Sequence, residues 1–324
     1  MRSLTDFAIL NEYERIKKLG DKLVEIGSRI NWEGFRPKLE AMFKNNTERG
    51  GRPNVDVIVM LKSLFIQQLY SLSDEQLERE LADRISFRVF LGTTEVVPDS
   101  TTIWKFRERL ADTRTDKEIW VEMQRQLSAM NLKVQKGIMQ DATFITADPG
   151  HAKADTPRGN EANSRRSKDG AWAKKGTKSF FGYKLHDCMD EKFGLVRRIE
   201  VTAANVHDSQ VDLAEKGEVR YADKGYFGAK TKGYDAAMKK ATRGHPLNYR
   251  DEMRNKRISS KRSPVERFYA FIKCVCKAGH VAVTTIPRVR VKMIITGVVF
   301  NVYMSLAVQK CSIRRHKNAH PHIL

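Results

Sequence analysis

The chain has 324 residues, with 59 Lys and Arg against 39 Asp and Glu, which gives a formal net charge of +20 at pH 7. This length can bury a full hydrophobic core and predicts two or more structural units. The charge is much larger than solubility requires and predicts a polyanionic partner, with nucleic acid as the first candidate. An anionic membrane surface is the rival, but the basic residues are spread over several regions instead of lying on one amphipathic helix.

Three further features narrow the class of protein. The longest apolar stretch, residues 293–308, is interrupted by polar residues and falls short of the roughly 20 residues that span a bilayer, so it predicts a buried helix. The first residues lack the pattern of a secretory signal, and we expect a cytoplasmic protein with no membrane partner.

The four cysteines lack paired spacing, which argues against a disulfide framework or a zinc ribbon. Cys276 and His280 could share a metal ion, but a buried thiol beside an ordinary polar histidine is the simpler interpretation.

The first part of the chain, residues 1–46, is predicted to be helical. Apolar residues recur at helical spacing over residues 12–30 and indicate one amphipathic helix. This stripe could support a dimer or pack on the chain's own next helices, because it is too short to argue for a coiled coil. A polar, glycine-rich segment at residues 45–53 then leads into a second helical region.

Residues 47–132 are predicted to form an all-α DNA-binding domain of helix-turn-helix type. A helix with an apolar face covers residues 57–69, and a capping box at residues 73–76 starts the next helix. After a turn at residues 92–98, Asp99 and Ser100 cap a third helix over residues 101–110, with Ile103, Phe106 and Leu110 facing inward. Its opposite face carries the candidates for reading DNA bases: Thr102, Lys105 and Arg109. An ordinary helical bundle with a solvated basic face is the alternative.

From residue 133 the pattern changes, and residues 133–311 are predicted to form a mixed α/β domain. Predicted strands cover residues 136–145, 180–187, 195–202 and 218–222, with the middle two paired as a hairpin. Helices are predicted at residues 117–130, 229–240, 264–277 and 289–310. This order indicates a sheet flanked by helices, with the Asp141 strand central, before a basic tail at residues 312–324.

Two aspartates lie at the ends of short apolar, β-prone runs. Asp141 interrupts what would otherwise be a buried strand, where a charge must be paired, protonated or metal-bound. Asp223 precedes Lys224 and Gly225 at the kind of strand end where α/β sheets place ligands. The plainer alternatives are a solvated strand-end acid for Asp141 and a turn aspartate for Asp223.

A third acid, Glu266, opens a predicted helix. Ser263, Pro264 and Glu266 fit a capping box with proline at the first helical position, which would explain the glutamate without a metal. Lys273 would lie on the same helical face as Glu266. Carboxylate oxygens suit Mg²⁺, and two such ions can stabilise both the attacking and the leaving oxygen in phosphoryl transfer.

Joined in this order, these residues resemble the DDE transposases of bacterial insertion sequences, and specifically the insertion sequence 5 branch of the insertion sequence 4 and 5 superfamily. The resemblance runs from about Gly50 to Val308. Its most specific parts are Asp141-Ala-Thr, residues 200–210, Ala222-Asp-Lys-Gly-Tyr and residues 262–273. It implies an RNase H-like catalytic domain behind the helical domain.

The resemblance assigns catalysis and metal binding to an acidic triad, Asp141, Asp223 and Glu266. It implies two Mg²⁺ ions, for which Mn²⁺ can substitute, and phosphate-positioning roles for Arg262 and Lys273. The family's tyrosine in this motif is replaced by Ser259. The interval between the last two acids also lacks room for the large β-rich insertion that some relatives carry.

Two basic segments are predicted to contact the DNA backbone. The first is a loop at residues 149–179, whose candidates are Arg165, Arg166, Lys174 and Lys175. Trp172 in this loop could stack on a base or pack against the loop itself. The second segment, residues 243–267, includes Arg257. His207 is either a spectator or a proton carrier, and Asp208 is predicted to cap a helix.

The function that these residues predict is that of a transposase acting on double-stranded DNA as a homodimer or higher oligomer. It would bind the terminal inverted repeats of its own element and free a 3′ hydroxyl, which then attacks target DNA without a covalent protein intermediate. Two alternatives remain: a stand-alone RNase H-like nuclease that uses the same triad, and a non-catalytic DNA-binding regulator derived from a transposase, against which the intact triad argues.

Overall fold

The computed structural model describes residues 4–43, 53–93, 97–135, 137–150 and 167–319, with side chains from residue 9 to residue 311. The chain divides into two compact units. The first comprises Met1–Met130 and Ile294–Leu324, and the second comprises Asn131–Met293. Residues 294–311, which we expected in the catalytic domain, therefore belong to the first unit.

The first unit is helical. In chain order its first eight α-helices are α1 (Leu4–Lys18), α2 (Lys22–Arg29), α3 (Arg36–Glu40), α4 (Val57–Tyr70), α5 (Asp74–Asp83), α6 (Ile85–Leu91), α7 (Ser100–Thr113) and α8 (Thr115–Ala129). The single helix predicted for residues 12–30 is wrong. Gly20 has a φ of +88°, and Asp21 starts a new helix because its side chain accepts a hydrogen bond from the Leu23 N–H at 2.9 Å.

Local capping signals position the later helices of this unit as predicted. Ser73 and Gln76 form both hydrogen bonds of a capping box at the start of α5. The Asp99 side chain accepts from the Thr102 N–H at 2.7 Å and caps α7. The predicted inward face of α7 is confirmed, since Ile103, Phe106 and Leu110 are buried.

The second unit is built on one sheet. Its strands are β1 (Gly137–Ala147), β2 (Ala171–Lys175), β3 (Lys178–Asp190), β4 (Val196–Ala203), β5 (Val219–Ala222), β6 (Tyr234–Ala237) and β7 (His280–Val281). The β1 strand pairs with β3 antiparallel and with β5 in parallel, so the prediction of a central Asp141 strand is confirmed. The predicted hairpin is β3 with β4. The mixed sheet confirms the α/β class.

Two predicted segments of this unit differ in the structure. The helix predicted for residues 229–240 is wrong, because β6 occupies part of it and pairs in parallel with β5. The segment predicted as a basic loop, residues 149–179, contains β2, which pairs with β3 across a turn where Gly176 has a φ of +62°. Arg165 and Arg166 lie outside the described residues.

The helix that carries Glu266 is longer than predicted. It is α9 (Tyr249–Ala270), and it begins where the Asn248 side chain accepts from the Asp251 N–H at 2.8 Å. Pro264 therefore lies inside the helix, and the predicted capping box at Ser263 is wrong. A π-helical turn, Phe271–Val275, follows directly.

The last helix, α10, runs over Ile286–Ala319. Within it, Ile286–Cys311 is long and apolar enough to cross a membrane by length and composition, but 72% of its apolar window is buried inside the protein. That burial favours the predicted core helix, although the helix is longer than we expected.

Candidate active site

Asp141 and Asp223 lie on neighbouring parallel strands of the second unit. The β1 and β5 strands pair Gly137 with Val219 and Met139 with Tyr221. Continuing this register by two residues brings Asp141 level with Asp223, which directly follows β5. Because paired positions of neighbouring strands point to the same face, the two carboxylates share one face of the sheet. Asp223 also accepts from the Gly225 N–H at 2.8 Å. It therefore makes the backbone contact of a turn aspartate, which was the alternative role predicted for it.

Asp141 forms an ion pair with Arg262 of α9. The distance between Arg262 Nη2 and Asp141 Oδ2 is 2.6 Å, and Asp141 Oδ1 accepts from the Ala142 N–H at 2.9 Å. Burial raises the pKa of Asp141 to about 6, against the opposing effect of Arg262 and with smaller increases from Asp223 and Glu266. The last two contributions place both Asp223 and Glu266 within electrostatic reach of Asp141.

Arg262 lies on the face of α9 that packs against the protein interior. Ile258, Val265 and Tyr269 are buried at helical spacing around it. Glu266 is one helical turn beyond Arg262 and is exposed at the edge of this face. Lys273 is exposed within the π-helical turn, where its Nζ lies 6.0 Å from the centroid of the Tyr269 ring.

A fourth acid, Asp187, lies directly beside Asp141 on β3. The two residues are paired in the antiparallel register, so their side chains project from the same face of the sheet. Asp187 is completely buried, and burial raises its pKa well above the usual range. The hydroxyl of Tyr269 is its neighbour.

These acids fit a divalent metal by their chemistry. Carboxylates from two adjacent strands and one helix give the oxygen donors that Mg²⁺ prefers, and their mutual repulsion is what a cation relieves. No group of three or more His, Cys, Asp or Glu side chains is already assembled as a ligand set within the described residues. A bound ion would therefore need the carboxylates to rearrange, and one of them, Asp141, is held by Arg262.

The opposite face of β3 carries a separate polar group. Lys184 Nζ lies 2.8 Å from Asp208 Oδ1, and His186 Nε2 lies 2.9 Å from Thr202 Oγ1. Burial lowers the pKa of His186 to about 4, so its ring is neutral at pH 7. The predicted Asp208 cap is wrong, since His207 caps the short helical turn Asp208–Gln210.

The other predicted DNA contacts are distributed over both units. Lys105 is exposed on α7, and the Arg109 guanidinium lies 4.2 Å from the centroid of the Phe43 ring. Lys174 and Lys175 are exposed on β2, beside an exposed Trp172 whose ring packs against Phe181. Arg257, another predicted DNA contact, is exposed on α9.

Asp187, Tyr226 and Tyr269 were missed as candidates. A signal existed for Asp187, because it lies between Leu185 and Met189 at alternate positions, on the apolar side of its strand. The tyrosines carry no such signal, since a buried aromatic residue is ordinary in a core.

Comparison with known families agrees with this geometry. Residues 11–109 match a family described as Transposase domain (DUF772). Residues 133–302, more than half of the chain, match the family described as Transposase DDE domain. The chain belongs to this DDE transposase family. No solved structure matches it.

The raised pKa of Asp141 predicts that this site destabilises the metal-free protein. Between about pH 4 and pH 6 folded Asp141 keeps a proton that the unfolded chain has lost, so this group lowers the free energy of unfolding as pH rises through that range. Asp141→Asn should therefore remove this pH dependence, so that the free energy of unfolding of the variant falls less between pH 4 and pH 7.5 than that of the wild type. Urea unfolding at several pH values in this range measures the two curves. A variant whose stability falls with pH as steeply as that of the wild type would contradict the assignment.

Proposed function

We propose that this transposase binds the terminal inverted repeats of an insertion sequence of the insertion sequence 5 branch and catalyses metal-dependent strand cleavage and strand transfer. The observation that carries the proposal is the register that sets Asp141 beside Asp223, with Glu266 one turn from the arginine that contacts Asp141. The central β1 strand, antiparallel to β3 and parallel to β5, supports an RNase H-like catalytic domain.

The acidic triad would hold the divalent ions. When bound, Mg²⁺ or Mn²⁺ supplies charge stabilisation to both the attacking and the leaving oxygen of the phosphodiester. Arg262 and the exposed Lys273 lie on the same helical element as Glu266 and offer cationic donors for the phosphates next to the scissile bond. The nucleophile is then a water molecule in the first displacement and the freed 3′ hydroxyl in the second.

DNA binding would involve both units. In the first unit, α7 presents Thr102, Lys105 and Arg109 to base edges and phosphates. In the second unit, the β2 strand presents Lys174 and Lys175, and α9 presents Arg257. The homodimer or higher oligomer that we expect on cytoplasmic DNA would bring two element ends together.

Strand transfer is the reaction that separates this function from its alternatives. A labelled element end with a free 3′ hydroxyl is incubated with Mg²⁺, the protein and a target plasmid, and joined products are measured. We expect joining that requires Mg²⁺ and the correct terminal sequence. Strand hydrolysis without joining would instead indicate a nuclease, and binding without either reaction would indicate a regulator.

Lys105→Ala tests the assignment of α7. Loss of one exposed cation at the DNA should weaken binding to the element end and lower the slope of the salt dependence by about one ion. Lys117→Ala removes an exposed charge from α8 and is the matched control, with no expected change. Equal effects of the two variants over a salt series would contradict a specific role for α7.

A further inference from the structure

Arg262 interacts electrostatically with two acids and is hydrogen-bonded to one of them. Its Nη2 atom donates to Asp141 Oδ2 at 2.6 Å. Asp187, the partner of Asp141 across the strands, is also within electrostatic reach of the guanidinium. Arg262 is 14% exposed and Asp187 is completely buried, so both side chains are largely removed from water.

Several buried polar atoms around Asp187 could form further hydrogen bonds. Among the described residues, Arg262 Nε and both Asp187 carboxylate oxygens are buried, and the hydrogen-bond partner within reach of the Asp187 oxygens is the Tyr269 hydroxyl. The Tyr226 hydroxyl is buried without a hydrogen bond, and both tyrosines lie within electrostatic reach of Asp187. Unsatisfied buried groups are costly and rare, so these atoms have the capacity to bind a further partner.

Metal binding at the triad requires a change of hydrogen-bond partners. Asp141 Oδ2 cannot coordinate a cation at full strength while a guanidinium holds it, because two positive charges would then compete for one oxygen. An arginine released from Asp141 in this buried position needs another carboxylate, since a buried charge without a partner is strongly destabilising. Asp187 is the acid paired with Asp141 on the same face of the sheet, and its carboxylate can accept from a guanidinium in addition to the Tyr269 hydroxyl.

We infer that Asp187 is a positioning residue that accepts the Arg262 guanidinium when Asp141 turns to bind the divalent ion. This inference rests on the proposed function, because it assigns Asp141 to a metal. In the metal-free protein Arg262 holds Asp141 in place and neutralises it. In the loaded protein Arg262 pairs with Asp187, with the Tyr269 hydroxyl as an additional donor, and stays next to the reaction centre.

A double-mutant cycle in Mn²⁺ affinity tests this inference. The variants are Asp187→Asn, Arg262→Gln and their combination, with free Mn²⁺ followed by electron paramagnetic resonance and folding checked by circular dichroism. Asp187→Asn should weaken Mn²⁺ binding about tenfold, as is usual for residues that orient metal ligands. Arg262→Gln should bind at least as tightly as the wild type, since the competing cation is gone. The double variant should match Arg262→Gln.

The Mn²⁺ affinities distinguish a failure of this inference from a failure of the proposed metal site. If Asp187→Asn weakens binding equally with and without Arg262, then Asp187 acts only by its own charge and the inference is wrong. If the wild type binds Mn²⁺ no better than Asp141→Asn, the proposed metal site itself fails.

A crystal structure of the wild-type protein with Mn²⁺ also tests the inference, and this test does not depend on whether the variants fold. Arg262 is expected within hydrogen-bond distance of an Asp187 oxygen. Arg262 still bonded to Asp141 beside a bound ion would overturn the inference alone.

Discussion

Replacement of any member of the acidic triad is expected to abolish DNA strand cleavage while leaving element-end binding intact. Asp141→Asn, Asp223→Asn and Glu266→Gln each remove one anionic ligand but keep the size of the side chain. Since charge stabilisation by the bound ions is most of the catalysis in phosphoryl transfer, each change should lower the cleavage rate about 1,000-fold or more. A nicking assay beside a gel-shift assay on labelled ends measures both properties.

The matched control is Asp148→Asn. Asp148 is an exposed acid close to Asp141 in sequence, and its side chain accepts from the Gly150 N–H at 2.8 Å. The Asp148→Asn variant should cleave DNA at the wild-type rate. Normal cleavage by any one of the three triad variants would remove that residue from the active site.

The second large effect concerns the stability of the β3–β4 hairpin, which supports Asp187. Asp190 accepts from the N–H groups of Phe193 and Leu195, at 2.6 and 3.1 Å, and lies 2.8 Å from the Arg197 guanidinium. The side chains of Asp190 and Arg197 are 1% and 5% exposed. Asp190→Ala would leave the buried Arg197 without its carboxylate partner, so we expect the free energy of unfolding to fall by about 3–5 kcal/mol.

Urea unfolding with the neighbouring Lys192→Ala as control tests this expectation. Lys192 is exposed in the same turn and contacts only Gln135 and the Phe193 ring among the interactions described, so its removal should change the free energy by less than about 0.5 kcal/mol. A loss for Asp190→Ala as small as that of the control would show that water replaces the buried pair.

Local sequence signals predicted the elements that depend on local physics. The caps at Ser73 and Asp99 and the inward face of α7 follow from side chains within one helical turn, and all are confirmed. The strands around Asp141 also follow from their apolar, β-branched composition.

The errors occurred where the structure overrides a local signal. Pro264 looked like the first residue of a helix, but α9 already runs for several turns before it, so the proline is carried inside a helix whose apolar face is packed. The composition of residues 234–237 predicts a helix, but these residues form the strand β6 because they pair with β5. Neither the upstream helix nor the partner strand is visible in the local pattern.

For the site, the sequence predicted the three acids but not their surroundings. The adjacency of Asp141 and Asp223 depends on the parallel register of β1 and β5, which sequence periodicity does not specify. The Arg262 contact to Asp141 and the presence of Asp187 on the same face depend on the packing of α9 against the sheet. Arg262 was therefore predicted as a phosphate contact only, although the structure gives it a partner in the triad.

The most direct test of the central claim is the position of a bound metal ion. Crystals of the protein with Mn²⁺, measured near the manganese absorption edge, would give an anomalous difference map. We predict strong peaks within coordination distance of the Asp141, Asp223 and Glu266 carboxylates, which are absent in crystals of Asp141→Asn. A protein that binds DNA ends and cleaves them with Mn²⁺ located elsewhere, away from these three carboxylates, would contradict the assignment.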